Sequence, residues 1–352
     1  MSMSHPSIKD IAAKANVSTA TVSYVLNGTR NVRPKTRERV LAAIAEMNYK
    51  PNNIAKSLKR RRTDTIGVIA EDVTVFNTPE IIDGINDYGD RHDLYILLTN
   101  LRLDKRIGRD FSQVDSYRAY AENAVSELLS KQVDGMIYIG VHPRDLTGLI
   151  DPEGKPIIYT YAYTQEDISI QYDDEQASYE AMSHFVQKGH QRIAVISGLM
   201  DSTPSRLRLN GYYRAVTEFE LPFDPILIKM GDWEKESGYR LAKELLTMET
   251  PPTAILAMND VMAVGVLEAA KELGVDIPGN VSLIGFDNRE FSGYLTPKIT
   301  TMDLPLHEMG YLAMQTLHER MQGKSTARPP MPVCRLTERE SVAPPRQQKE
   351  MG

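Results

Sequence analysis

SIKDIAAKANVSTATVSYVLNG, residues 7–28, decides how the start of this chain is read. Ile8, Ile11, Ala12 and Ala15 recur at helical spacing behind Ser7, a residue suited to capping a helix N-terminus. Ala15-Asn16-Val17 makes a short turn. Ser18 can cap a second helix whose apolar face is Val22, Val25 and Leu26, and Asn27-Gly28 ends it with residues that tolerate left-handed φ. The other face carries Thr19, Ala20, Ser23 and Tyr24, where a solvated helix would carry Lys and Glu. It is trimmed to fit close against something. A third helix starts at Pro34 and buries Val40, Ile44 and Met47. Two helices on a tight turn with a third packed across them make a helix-turn-helix.

Working outward, residues 1–62 hold 13 Lys and Arg against three acids, a net charge of +10, which leaves −16 on the remainder of the 352-residue chain. A basic head on an acidic body points to a polyanion-binding module joined to something else. A basic tail serving only solubility fits poorly with helical periodicity, and a three-helix protein-binding module fits poorly with the charge. A helix entering a DNA major groove needs short side chains near its backbone. Thr and Ala can meet a thymine methyl, hydroxyls can reach phosphates or bases, and the amides near Ser18 favour a phosphate.

From Thr65 the chain alternates β-rich runs (TIGVIAED, DLYILLTN, DGMIYIG, PIIYTYA, RIAVISG, ILIKMGD, TAILAMND and VSLIGFDN) with helical stretches at about 79–91, 115–131, 176–189, 207–219, 235–248 and 261–273. That is a parallel-sheet α/β pattern, and its length suits two doubly wound lobes better than one sheet. Ligands in such folds bind beyond the carboxyl ends of the strands. Glu71, Asp72, Asp173, Asp232, Asn259, Asp260, Asp287 and Asn288 stand there.

Enzymatic signatures are missing: no G-x-G-x-x-G, Walker A, G-x-S-x-G or H-E-x-x-H occurs. The expectation is therefore no enzyme, no cofactor and no metal. His184 and His190 read as surface or helix-end residues, and Cys334, the single cysteine, as a small buried apolar residue. No apolar run approaches the length of a membrane span and the N-terminus lacks a secretory h-region, so a cytoplasmic protein is expected.

Residues 7–59 resemble the headpiece of the lac repressor/gal repressor family of bacterial transcription regulators, close to its purine-repressor branch. The body, to about residue 342, is similar to the same family's core, which itself is like the periplasmic sugar-binding proteins; the matching pieces are STPSRLRLNGY, GDWEKESGY, AMNDVMAVGVL and VSLIGFDN. The resemblance implies a small all-α helix-turn-helix headpiece (1–50), a hinge helix or linker (51–64), and an α/β core of two doubly wound parallel-sheet lobes (65–345), with a tail at 346–352. The N-lobe takes in about 65–170 plus 303–332 and the C-lobe about 171–302 plus 333–342.

The resemblance also implies roles. Ser7, Ser18, Thr19, Ala20, Thr21, Ser23, Tyr24, Asn27 and Arg33 would face DNA, with Thr19, Ala20 and Tyr24 reading bases. Many family members have Arg at the position of Tyr24, so their operator letters do not transfer. Asn52, Ala55, Leu58 and Lys59 belong to the hinge segment, where Leu58 would wedge into the minor groove. Read from composition alone, that segment is a solvated linker. Arg208, Asn259, Asp287 and Trp233 match effector-contacting positions, and Glu71, Asp72, Val75, Phe76 and Tyr161 lie at the cleft's second wall. Asn259 and Asp287 could equally cap helices, Arg208 pair internally and Trp233 pack against its neighbouring helix.

The implied protein is a homodimeric repressor on a pseudo-palindromic operator, controlled allosterically by a small molecule in the interlobe cleft. Trp233 favours a sugar and thus carbohydrate-utilisation genes. A purine effector is the alternative, and a carbohydrate-acting enzyme or cytoplasmic sugar-binding protein a more remote one. The C-terminal SVAPPRQQKEMG lacks leucine heptads, which favours a dimer over a tetramer.

Overall fold

The structure, a computed structural model, describes residues 6–28, 30–49, 62–107, 114–324 and 328–346. The chain divides between Thr63 and Asp64 into two units.

In the first unit, α1 (Ile8–Lys14), α2 (Thr19–Asn27) and α3 (Pro34–Glu46) follow the expected order. Asp10 accepts from both the amide and the hydroxyl of Ser7 (2.7 Å each), tying down the start of α1. Ser18 Oγ accepts from the Thr21 amide at 3.1 Å and caps α2. Gly28 ends α2 at φ +63°, a conformation open to glycine without a Cβ penalty. Ile11, Ala12, Ala15, Val22, Val25, Val40 and Ala43 form the core. Ile44 and Met47 pack at its margin rather than inside it.

The second unit holds two sheets. The first has the order β2-β1-β3-β4-β5, built from β1 (Thr65–Ala70), β2 (Tyr95–Asn100), β3 (Gly135–Ile139), β4 (Ile157–Thr160) and β5 (Ser169–Ile170), all parallel. The second runs β11-β10-β9-β8-β6-β7, from β6 (Ile193–Ser197), β7 (Ile228–Met230), β8 (Ala254–Ala257), β9 (Ser282–Phe286), β10 (Thr300–Asp303) and β11 (Arg335–Thr337). Only β11 is antiparallel to its neighbour. Central strands such as β3, β6 and β9 are buried along their whole length, as helices on both faces require. Three strands exceed the eight expected: β5, β10 and β11.

Helices α4 (Asn77–Arg91), α5 (Leu103–Ile107), α6 (Val114–Ser130), α7 (Asp174–Gln187), α8 (Thr203–Glu218), α9 (Lys235–Leu246), α10 (Asp260–Leu273) and α11 (Leu306–Met321) cover the sheets. After β10 in the second sheet, α11 returns to pack on α4 and on β3, β4 and β5 of the first. The lobes are thus joined by three passages of chain.

The α4–α11 contact is unusually close. A Cβ on Gly84 would overlap the His307 carbonyl, and one on Gly310 the Ile81 carbonyl. Helix propensity alone favours Gly84→Ala by about 1 kcal/mol. Because the obstacle is backbone, the opposite sign is expected: a net loss of about 1–3 kcal/mol. A urea midpoint for the variant equal to or above the parent's would contradict this packing.

His190 departs from expectation. It is buried rather than on the surface, with Nδ1 3.0 Å from Thr253 Oγ1 and Nε2 3.0 Å from Ser282 Oγ and 2.9 Å from the Ala343 carbonyl. It pins the C-terminal segment to the start of the second sheet. Cys334 is buried. Among the described residues no helix is long and apolar enough to cross a membrane.

Candidate functional site

In the first unit, Ser18, Thr19 and Ala20 are exposed at the start of α2, with Thr21, Ser23 and Tyr24 partly covered on the same helix. Ser7 and Arg33 are exposed. The structure therefore presents the short-side-chain face of α2 outward, away from Val22 and Val25. Arg30, not singled out from the sequence, places its guanidinium 5.1 Å from the centroid of the Tyr24 ring, a cation–π distance. Asn52, Ala55, Leu58 and Lys59 lie outside the described residues, as does the side chain of Asn27.

In the second unit a cavity of about 690 Å³ opens between the carboxyl ends of the two sheets. It has the size of a small-molecule site. Val75, Phe76, Tyr161, Arg208, Trp233, Asn259 and Asp287 all line it. Five loops bring them together: those after β1 and β4 in the first lobe, and those after β7, β8 and β9 in the second, which supply the facing wall along with α8.

Arg208 is buried by the aromatic face of Phe286, 3.7 Å from its guanidinium carbon. Its Nε donates to Asp174 Oδ1 at 2.7 Å, Nη2 to the Tyr172 hydroxyl at 3.1 Å, and Nη1 to the Met258 carbonyl. Asp287 Oδ1 lies 3.7 Å from Nη1. Arg208 thus pairs internally and simultaneously borders the cavity. Burial pushes the Asp287 carboxyl up to about 8 against the pull of Arg208, and burial likewise raises Asp260 to about 7. Asp287 sits at φ +98°, a strained backbone for a non-glycine residue.

Trp233, also at positive φ (+74°), lies against Gly198, where any Cβ would overlap the indole. Asn259 does two jobs: its Oδ1 accepts from the Met262 amide at 2.7 Å, capping α10, and its Nδ2 donates to the Trp233 carbonyl at 3.0 Å. It acts on the cavity by fixing Trp233. The indole Nε1 is buried, with no acceptor among the described residues.

Glu71 and Asp72 do not line the cavity. Glu71 is wholly buried and holds Arg144 through both oxygens (2.6 and 3.0 Å), with the Val141 amide and the hydroxyls of Tyr117 and Tyr138 around it. Asp72 Oδ1 turns back to the amide and hydroxyl of Thr74. Arg144, which Glu71 holds, does reach the cavity, and so does its neighbour His142 in the same loop after β3. Burial, with Arg144 and Arg208 nearby, drives the His142 pKa down to about 4, so the ring is neutral. Arg289, after β9, lines the second lobe's side. These three were missed, although the rule that ligands gather beyond strand ends covers all of them. Among the described residues no cluster of three or more His, Cys, Asp or Glu could hold a metal ion.

Comparison with known proteins agrees with this division. Residues 7–52 match the model for bacterial regulatory proteins of the lacI family, and residues 182–342 that for a periplasmic binding protein-like domain. The chain is 32% identical over 318 residues to catabolite control protein A of Priestia megaterium, covering 89% of this chain and 92% of that protein. It is 33% identical over 342 residues to the transcriptional repressor PurR of Escherichia coli O1:K1 / APEC, covering 96% of each. Among solved structures, the lac repressor dimer bound to operator and the anti-inducer ONPF matches with a TM-score of 0.77 at 28% identity, over 97% of this chain and 100% of that one. The transcriptional regulator CelR–cellobiose complex matches with a TM-score of 0.64 at 26% identity, over 96% and 99%. With relatives of this identity aligned along nearly its whole length, the chain belongs to the lacI family of bacterial regulatory proteins.

Proposed function

We propose that this DNA-binding regulator represses carbohydrate-utilisation genes as a homodimer and is controlled by a small sugar in the interlobe cavity. The carrying observation is Trp233 at the cavity wall with Asp287 and Arg208 beside it. An aromatic plate suits the C–H face of a sugar, and a carboxyl and a guanidinium suit its hydroxyls. The solved relative holding cellobiose supports the same ligand class. The chain performs no chemistry on the sugar in this reading: sugar binding changes lobe orientation, and operator affinity follows.

Trp233 is the only tryptophan, so intrinsic fluorescence reports on the cavity directly. Titration with a panel of mono- and disaccharides, hypoxanthine and guanine is expected to give a saturable change with a sugar. A response to a purine alone would replace the sugar by the class suggested by the match to PurR.

The hinge reading has its own test. Leu58→Ala is expected to weaken specific operator binding at least tenfold (about 1.4 kcal/mol) and leave effector affinity unchanged. Equal operator affinity for variant and parent in a mobility-shift titration would remove the minor-groove role.

A further inference from the structure

Three arginines border the cavity, and they are not equivalent. Arg144 is engaged by both oxygens of Glu71. Arg208 is engaged by Asp174, Tyr172 and the Met258 carbonyl. Arg289 has no carboxylate within 4.0 Å among the described residues. What holds it is of another kind. Its backbone amide donates to Asp260 Oδ2 at 2.7 Å, and its guanidinium carbon lies 4.8 Å from the Phe76 ring centroid and 5.5 Å from that of Phe291. Stacking uses the faces of the guanidinium plane and leaves the in-plane N–H fork available. Arg289 is thus a positioned cation with unspent donors at the cavity wall.

Among the described residues no acid around it forms an ion pair with its guanidinium. Asp260 has its carboxylate oxygens on Thr301 Oγ1 and the Arg289 amide, and burial favours its protonated form, as it does for Asp287. Asp145 Oδ1 is occupied by the amide and hydroxyl of Thr147. Asp201 and Glu234 follow β6 and β7, two and three strands away from β9 in the sheet.

We propose that the effector carries an anionic oxygen group, a phosphoryl or carboxylate substituent on a small polyol, and that Arg289 is the residue that meets it. This deepens the sugar reading above and rests on the same cavity. Because Phe76 belongs to the first lobe and Arg289 to the second, the fork is held where the lobes approach.

The test uses the full chain and calorimetric titration with glucose, glucose 6-phosphate, gluconate and inorganic phosphate, at constant ionic strength with chloride as control. At least one of the three anions is expected to bind, and glucose 6-phosphate to bind about tenfold or more tighter than glucose. Arg289→Gln is expected to cancel that preference, bringing glucose 6-phosphate affinity down to about that of glucose, and Arg289→Lys to restore part of it. Circular dichroism spectra matching the parent's exclude misfolding as the cause. Glucose binding as tightly as its phosphate, anion binding that Arg289→Gln leaves intact, or no binding by any anion would each overturn the proposal. Neutral sugar binding with no preference overturns it while preserving the sugar reading. Phosphate binding through Arg289 with neither glucose nor its phosphate nor gluconate bound overturns the proposal and the sugar reading together.

Discussion

Arg208→Met is expected to lower the stability of the α/β unit by roughly 3–5 kcal/mol and to abolish the fluorescence response to effector. Methionine fills much of the arginine's volume beside Phe286 but supplies no donor. Asp174, with its side chain 4% exposed, then loses its cation, and the Met258 carbonyl and Tyr172 hydroxyl lose their donor. A buried group left unpaired costs far more than the intact pair contributes. Urea unfolding of the full chain provides the measurement, and the double variant Arg208→Met/Asp174→Leu the control. Removing both partners is expected to recover a substantial part of the loss. If the double variant is as unstable as the sum of the two singles, the network acts through packing and the electrostatic account is wrong.

The second large effect is a pH dependence. Asp287 has an ordinary pKa of 3.8 and a folded one of about 8, raised chiefly by burial. Between those values the native chain retains a proton that the unfolded chain has released. Native protons therefore exceed unfolded protons, and stability must fall as pH rises through this window. One proton corresponds to about 1.4 kcal/mol per pH unit. Asp260, raised to about 7, acts in the same direction over the lower part of the range. Asp287→Asn, uncharged at every pH, is expected to flatten the fall between pH 5 and pH 7 by about that slope and to be the more stable protein near pH 8. Parallel stability profiles for parent and variant would show that Asp287 is ionised in the fold.

The helices of the headpiece were legible because period and caps agree: Ser18 and Gly28 bracket α2 as their chemistry requires. The buried parallel strands were legible as β-branched runs. The strands β5, β10 and β11 were not, since two to four residues paired at or near a sheet edge carry no periodicity of their own. Helix α11 has a periodic stripe (Leu306, Met309, Ala313, Leu317) and could have been read. For the site, strand ends gave the right neighbourhood but not the orientation of each side chain. Glu71 turns inward because its partner is Arg144, 73 residues later, and no local pattern announces such a pairing. Asn259 was expected either to cap a helix or to serve the site, and its two polar atoms do one each.

The anchoring of the C-terminal segment has a practical reach. His190, Thr253 and Ser282 sit at the entry ends of β6, β8 and β9, whereas the cavity opens at their exit ends. A dye, tag or surface tether attached at position 346 is therefore held at the far side of the second sheet from the ligand. Such a handle lets the regulator be immobilised with its cavity unobstructed, so that sugar entry can be timed on a sensor chip without the attachment point reporting in its place.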